Sequence, residues 1–291
     1  MNVLIVGQGV WGRALYSLIE QNTKSVSFWK RGEPIVNTQV IVLAVPTESV
    51  RSVLGFVENN PEVLVINTTK GVESKTHLLP FEITRELLGE KVKYYSFLGP
   101  GFADEVMHKM PTLVNLGHFR EENAEIIKQL FETEYFRVQA TGSVEAIELA
   151  AAFKNIYAIV SGLAHGLGFG MNTRSQLITI ALEEFYTLAE KLDYKIDKNA
   201  LPAIIGDLIL TCNSTQSRNF TFGKLLVEYS AVDAFKKVNS TVEGYTTVLS
   251  LDYFLKKADV ELPLARFVSN VSRSTNHHNI RERFLEFIKR V

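Results

Sequence analysis

Residues Val3-Leu4-Ile5-Val6 form an unbroken apolar run that ends on Gly7, the pattern of a strand buried on both faces. The period then lengthens: Ala14, Leu15, Leu18 and Ile19 recur at helical spacing within residues 12–20. Short β-branched or aromatic runs follow at 26–29, 40–45, 64–66, 94–98 and 112–116, separated by helical or looped connections. Strands alternating with crossovers predict an α/β fold with a largely parallel, doubly wound sheet. The texture changes at Thr141-Gly142-Ser143. Beyond it, residues 144–162 and 174–192 have helical periodicity, strand-like alternation is scarce, and Ser143 with Glu145 makes a good helix start. The expected organisation is two domains, 1–142 and 143–291, with a cleft between them as a natural ligand site.

Composition narrows the function classes. The chain has 31 Lys+Arg against 32 Asp+Glu, so it lacks the basic excess of a nucleic-acid binder or of a protein held on anionic membranes. Its single cysteine, Cys212, excludes an intrachain disulfide and any multi-cysteine zinc site, and the histidines show no metal-ligating spacing, so no metal is expected. No apolar run reaches the roughly 18–20 residues that span a bilayer, and no leader precedes the first strand. A cytoplasmic protein is expected.

Gly7-Gln8-Gly9-Val10-Trp11-Gly12 fits G-x-G-x-x-G between a strand and a helix. In that pattern Gly7 permits the tight turn, Gly9 lets a pyrophosphate approach the backbone, and Gly12 allows close helix–strand packing. The helix start offers N–H groups to phosphate. The acidic residue that usually follows about 20 positions on and grips a ribose 2′-hydroxyl is missing. Lys30 and Arg31 stand there instead, either as cations favouring a 2′-phosphate or as solvated loop charges.

Lys70 and Gly99 each follow a strand, where open α/β sheets bind ligands, although a solvated charge and a plain turn are the bland readings. Lys154 sits within Ala150-Ala151-Ala152-Phe153-Lys154-Asn155-Ile156-Tyr157. It is either a desolvated proton donor or a lysine reaching out from a helix edge. Asp207 reads first as a helix cap. Ser217-Arg218-Asn219 offers a hydroxyl, a guanidinium and an amide in sequence, a set that suits phosphate oxygens and also occurs in surface loops.

In this order the segments resemble the bacterial-type NAD(P)-dependent glycerol-3-phosphate dehydrogenase family. The matching stretches are GQGVWG at 7–12, LAVPT at 43–47, TTKGVE at 68–73, GPGFADEV at 99–106, FKNIYAIVSGLAHGLGFGMNTR at 153–174, GDLILTCNSTQSRNFTFG at 206–223 and VEGYTT at 242–247. The resemblance implies a Rossmann domain followed by a helical domain like that of 6-phosphogluconate dehydrogenase. It implies NAD or NADP as cofactor, between which Lys30 and Arg31 favour NADPH, and reversible reduction of dihydroxyacetone phosphate to sn-glycerol 3-phosphate. On it, Lys154 falls on the family's catalytic lysine and Asp207 on its substrate-binding carboxylate. Lys70, Gly99, Ser217, Arg218 and Asn219 fall on substrate positions. Trp11, Lys70, Ala103, Arg218 and Glu243 fall on cofactor positions, beside Gly7, Gly9, Gly12, Lys30 and Arg31. A homodimer is one expectation for its assembly. A related reductase of small keto acids or phosphorylated ketones, and a non-catalytic nucleotide binder, are the alternatives.

Three departures bear on substrate affinity and cofactor preference rather than on the reaction. Only residues 30–39 separate the second and third strands, a serine usual in the family is Gly101, and Asn219-Phe220-Thr221-Phe222 lacks the arginines that commonly follow.

Overall fold

The structure is a computed structural model that describes residues 1–58, 62–274 and 279–291. Among these, one sheet has seven strands: β1 (Val3–Val6), β2 (Val26–Phe28), β3 (Val40–Leu43), β4 (Leu64–Asn67), β5 (Lys93–Leu98), β6 (Thr112–His118) and β7 (Phe136–Thr141). Their order is β2-β1-β3-β4-β5-β6-β7. Every pairing is parallel except β5 with β6. The expected parallel, doubly wound sheet is present, with that one reversal, where the chain turns back through Lys109 (φ 57°). β7 went unread because Phe136-Arg137-Val138 alternates buried, exposed, buried, a half-solvated pattern quite unlike the apolar runs of β1 and β3.

Six crossover elements join the strands: α1 (Val10–Asn22), the segment 29–39, α2 (Thr47–Leu54), α3 (Pro80–Leu88), α4 (Ala103–Met107) and α5 (Ala124–Phe131). Ala14, Leu15, Leu18 and Ile19 of α1 are fully buried against the sheet, as their spacing requires. Chain order reverses between β1 and β3, so this is the switch point where α/β sheets open a ligand crevice.

The helices that follow are α6 (Val144–Gly166), α7 (Met171–Lys191), α8 (Asp207–Asn213), α9 (Arg218–Leu225), α10 (Ala231–Val238), α11 (Glu243–Ala258), α12 (Pro263–Ser272) and α13 (Ile280–Ile288). A 3-10 turn at Lys198–Ala200 and a π-helical turn at Pro202–Gly206 lead directly into α8. The chain packs as two compact units, Met1–Leu149 with Lys195–Gly206, and Ala150–Tyr194 with Asp207–Val291.

The sheet unit holds residues 195–206 by polar contacts. Asp197 accepts from Thr141 Oγ1 at 2.7 Å and from Gly142 N at 2.9 Å. The fully buried Asn115 on β6 donates to Asn199 O at 2.7 Å and accepts from Ala203 N at 2.8 Å.

The helical unit has no strand among its described residues. Its tightest crossing is between α6 and α9. A Cβ on Gly162 would lie 1.9 Å from Phe220 O, and one on Gly223 would lie 1.8 Å from Ile159 O. Only paired glycines let two helix backbones come so close.

α6 is long and apolar enough, by length and composition alone, to cross a membrane, although it carries Glu145, Glu148 and Lys154. All of its most apolar window is buried inside the structure, as for a core helix.

Candidate active site

The candidate site residues fall into two sets, one in each unit. In the sheet unit, β1 ends on Gly7, which adopts φ 116°; a Cβ there would lie 2.2 Å from Ala44 O. A Cβ on Gly12 would lie 2.0 Å from Gly7 O, so the third glycine packs α1 against the turn. Gly9 differs. It is exposed, caps α1 without a side-chain bond, and a Cβ there would meet nothing within 4 Å. That open ground over the first turn of α1 is the space a pyrophosphate occupies on such a loop, so the turn fits a dinucleotide.

Beside the turn lies a cavity of about 480 Å³, lined in part by Gly7, Gln8, Trp29, Arg31, Ser49 and Ser52. Trp29 is steadied by a ring contact with Phe56 at 5.3 Å and by its Nε1 donating to Glu33 O at 2.9 Å. Arg31 faces this cavity. Lys30 is absent from its walls and lies 3.9 Å from the exposed Glu33 carboxylate. Trp11, in the first turn of α1, is half-buried, and its ring edge is 3.5 Å from where a Gly101 Cβ would stand. Ala103 opens α4. Lys70 is half-buried, and its Nζ donates to Gly99 O at 3.0 Å; Gly99 itself is pressed against Val114, whose Cα would be 2.8 Å from a Cβ.

In the helical unit, Lys154 is 6% exposed and does not reach out from a helix edge. Its ammonium donates to Asp207 Oδ1 at 2.8 Å and to Thr211 Oγ1 at 2.7 Å. Asp207 is not a helix cap: the π-helical turn runs straight into it, so it lies inside a continuous helical stretch. π-turns recur at functional sites because they re-aim the next side chain. Thr211, one helical turn on, donates its hydroxyl hydrogen bond to Asp207 O at 2.6 Å, which leaves its lone pairs to the lysine. The nearby Cys212 thiol is pushed up to about 12 by burial, with Lys154 opposing and Asp207 assisting, so it stays a neutral, small buried group.

A second set of contacts adjoins Lys154. Asn155 accepts from Asn219 Nδ2 at 2.9 Å and donates to Glu243 Oε2 at 3.4 Å. Asn219 Oδ1 accepts from Gly244 N at 2.9 Å, at the start of α11. Ser217 caps α9, its hydroxyl accepting from Phe220 N at 3.2 Å. Ser217 and Asn219 are therefore buried and engaged, and Arg218 alone of the trio is exposed, donating to Ser240 Oγ at 3.0 Å. The sequence reading missed Thr211 and Asn155. The i, i+4 spacing of Asp207 and Thr211 was the available signal for the first, and adjacency to Lys154 for the second.

Family models match both parts of the chain. Residues 32–124 match the family model for the N-terminus of NAD-dependent glycerol-3-phosphate dehydrogenase, and residues 143–280 match the model for its C-terminus. The chain is similar to the glycerol-3-phosphate dehydrogenase (NAD(P)+) of Carboxydothermus hydrogenoformans, at 30% identity over 93% of this chain and 92% of that protein. It is also similar to the Lawsonia intracellularis protein of the same name, at 32% identity over 89% and 75%. The crystal structure of glycerol-3-phosphate dehydrogenase from Coxiella burnetii shares the fold, with a TM-score of 0.86, 23% identity and 98% of each chain covered.

Proposed function

The chain belongs to the NAD-dependent glycerol-3-phosphate dehydrogenase family, and from that premise we propose that it reduces dihydroxyacetone phosphate reversibly to sn-glycerol 3-phosphate, a backbone for glycerophospholipids. The observation that carries the proposal is the buried Lys154 ammonium held between Asp207 and Thr211. A bound NAD(P)H supplies the hydride to the substrate's C2 carbon. As negative charge grows on the carbonyl oxygen, Lys154 donates its proton to it, and takes it back in the oxidative direction. Asp207 and Thr211 aim the ammonium, and burial keeps competing water away from it.

The substrate phosphate is assigned to Arg218, whose planar guanidinium can bind two oxygens at once, and to the first-turn N–H groups of α9 that Ser217 caps. Asn219 contributes by fixing that turn against Asn155 and α11. Lys70 with Gly99 supplies a further cation and carbonyl from the sheet unit. The dinucleotide is assigned to Gly7, Gly9, Trp11, Gly12, Arg31 and Ala103, with Glu243 and Arg218 from the helical unit. The domain roles follow: a dinucleotide-binding sheet domain and a helical catalytic domain. A cytoplasmic location and a homodimeric assembly rest on the family reading, and light scattering of the purified chain checks the second.

The test is reduction of dihydroxyacetone phosphate followed by nicotinamide absorbance, beside unphosphorylated dihydroxyacetone. Arg218→Lys should raise KM for the phosphorylated substrate about tenfold or more, since an ammonium cannot reproduce the two-oxygen contact. The unphosphorylated ketone should change far less. Equal losses for both substrates would remove the phosphate from Arg218.

A further inference from the structure

Glu148 is a buried carboxylate with no part in the mechanism above. It is 1% exposed and accepts four hydrogen bonds: from Asn67 Nδ2 at 3.2 Å, from Phe81 N at 3.0 Å, and from the Tyr94 and Ser96 hydroxyls. Desolvating a carboxylate is costly, and this one is held by donors from β4, the start of α3 and β5.

The Asn67 contact leads somewhere the others do not. Asn67 is the last residue of β4, and its side chain clasps Thr69: Oδ1 accepts from Thr69 N at 2.9 Å and from Thr69 Oγ1 at 2.7 Å, while Nδ2 donates to Thr69 O at 3.2 Å. The next residue is Lys70, whose ammonium reaches Gly99 O. An amide side chain has one accepting end and one donating end, and the Thr69 clasp works only with the oxygen toward Thr69 N–H. Glu148 Oε1, which faces this amide, also accepts from the Tyr94 and Ser96 hydroxyls and acts as an acceptor, so Glu148 holds the amide nitrogen on its own side and the oxygen on the turn. The fully buried hydrogen-bond chain then runs Glu148, Asn67, Thr69, one residue short of the cation.

We propose that Glu148 is a positioning residue for Lys70, acting through the orientation of the Asn67 side chain. The proposal rests on the reading of Lys70 as a substrate contact. Glutamine at 148 can donate as well as accept, so the Asn67 amide loses the partner that fixes its sense, and the Lys70 turn gains alternative arrangements. The ammonium is then placed correctly for only part of the time, which weakens substrate binding before it touches the proton transfer at Lys154.

The experiment is a double-mutant cycle on KM for dihydroxyacetone phosphate, with kcat measured alongside. Glu148→Gln should raise KM about tenfold with kcat within about threefold, and in a Lys70→Ala background the same substitution should change KM less than about twofold. Asn67→Ala breaks the chain while sparing the other donors of Glu148. It should repeat this pattern, and it carries the test if Glu148→Gln does not fold.

A KM rise from Glu148→Gln that persists undiminished without Lys70 would show a general packing role and overturn the proposal. An unchanged KM in Asn67→Ala would overturn it too. If Lys70→Ala alone leaves KM unchanged, the reading of Lys70 fails first and the proposal falls with it.

Discussion

At the scale of single residues, neighbours in the chain separate in space. Arg31 lines the cavity beside the glycine turn, while its neighbour Lys30 lies by Glu33. Both were equal candidates in the sequence, because adjacency along a loop says nothing about which side chain turns inward. The difference makes a prediction about cofactor choice. Arg31→Ala should lower the ratio of kcat/KM for NADPH over NADH about tenfold or more, the size of a lost charge-assisted contact. Lys30→Ala should leave the ratio nearly unchanged. Direct titration of dinucleotide binding by Trp29 fluorescence reads the same contrast without turnover, since Trp29 lines the same cavity. A ratio indifferent to Arg31, or one governed by Lys30, would contradict the assignment. The glycine turn was readable because three glycines at fixed spacing have few other uses. Thr211 and Asn155 were not, because a threonine and an asparagine on a helix carry no mark of what they face.

At the scale of elements, α6 and α9 meet through Gly162 and Gly223, each pressed on the other helix's backbone carbonyl. That approach sets Asn155 on α6 against Asn219 on α9. Gly162→Ala should therefore destabilise on balance, despite the roughly 1 kcal/mol by which alanine ordinarily favours a helix interior. Forcing a methyl into backbone at this distance costs on the order of 1–3 kcal/mol or more. The same change at Gly170, the α7 N-cap where a Cβ would meet nothing within 4 Å, should cost only what a weaker cap costs, about 1 kcal/mol or less. Urea midpoints of the two variants check this, and equal effects would mean the helices slide apart freely. Alternating strands and crossovers were legible because buried parallel strands are continuously apolar. The π-turn before Asp207 was not, since it shifts hydrogen-bond register without changing the residue pattern, and so a buried ion-pair partner read as a cap.

At the scale of the whole molecule, each unit buries a carboxyl whose ionisation is pushed upward. Burial pushes Glu148 up to about 7 against the donors from Ser96, Tyr94, Phe81 N and Asn67, and pushes Glu184 up to about 7 against Leu264 N, Ala265 N and Tyr157. A carboxyl raised in the folded state stabilises fully below its unfolded value and loses that contribution as pH rises through the folded one. Asp197 works the other way: burial pushes it up, but donors from Thr141, Gly142 N, Asn199 N and Ser143 outweigh this and leave it low, so its contribution is lost only in acid. Stability should peak near pH 5 and fall toward pH 8, by up to about 3 kcal/mol for each glutamate. Glu184→Gln should remove its share of that slope in urea unfolding, and an unaltered slope would sink the assignment. The central claim is that Lys154 delivers the proton. The most direct measurement is single-turnover reduction of dihydroxyacetone phosphate by Lys154→Ala, with NADPH binding titrated in parallel. Proton transfer from Lys154 predicts at least about a hundredfold loss of rate with dinucleotide binding retained. A folded variant that binds NADPH and turns over at near the normal rate would contradict it.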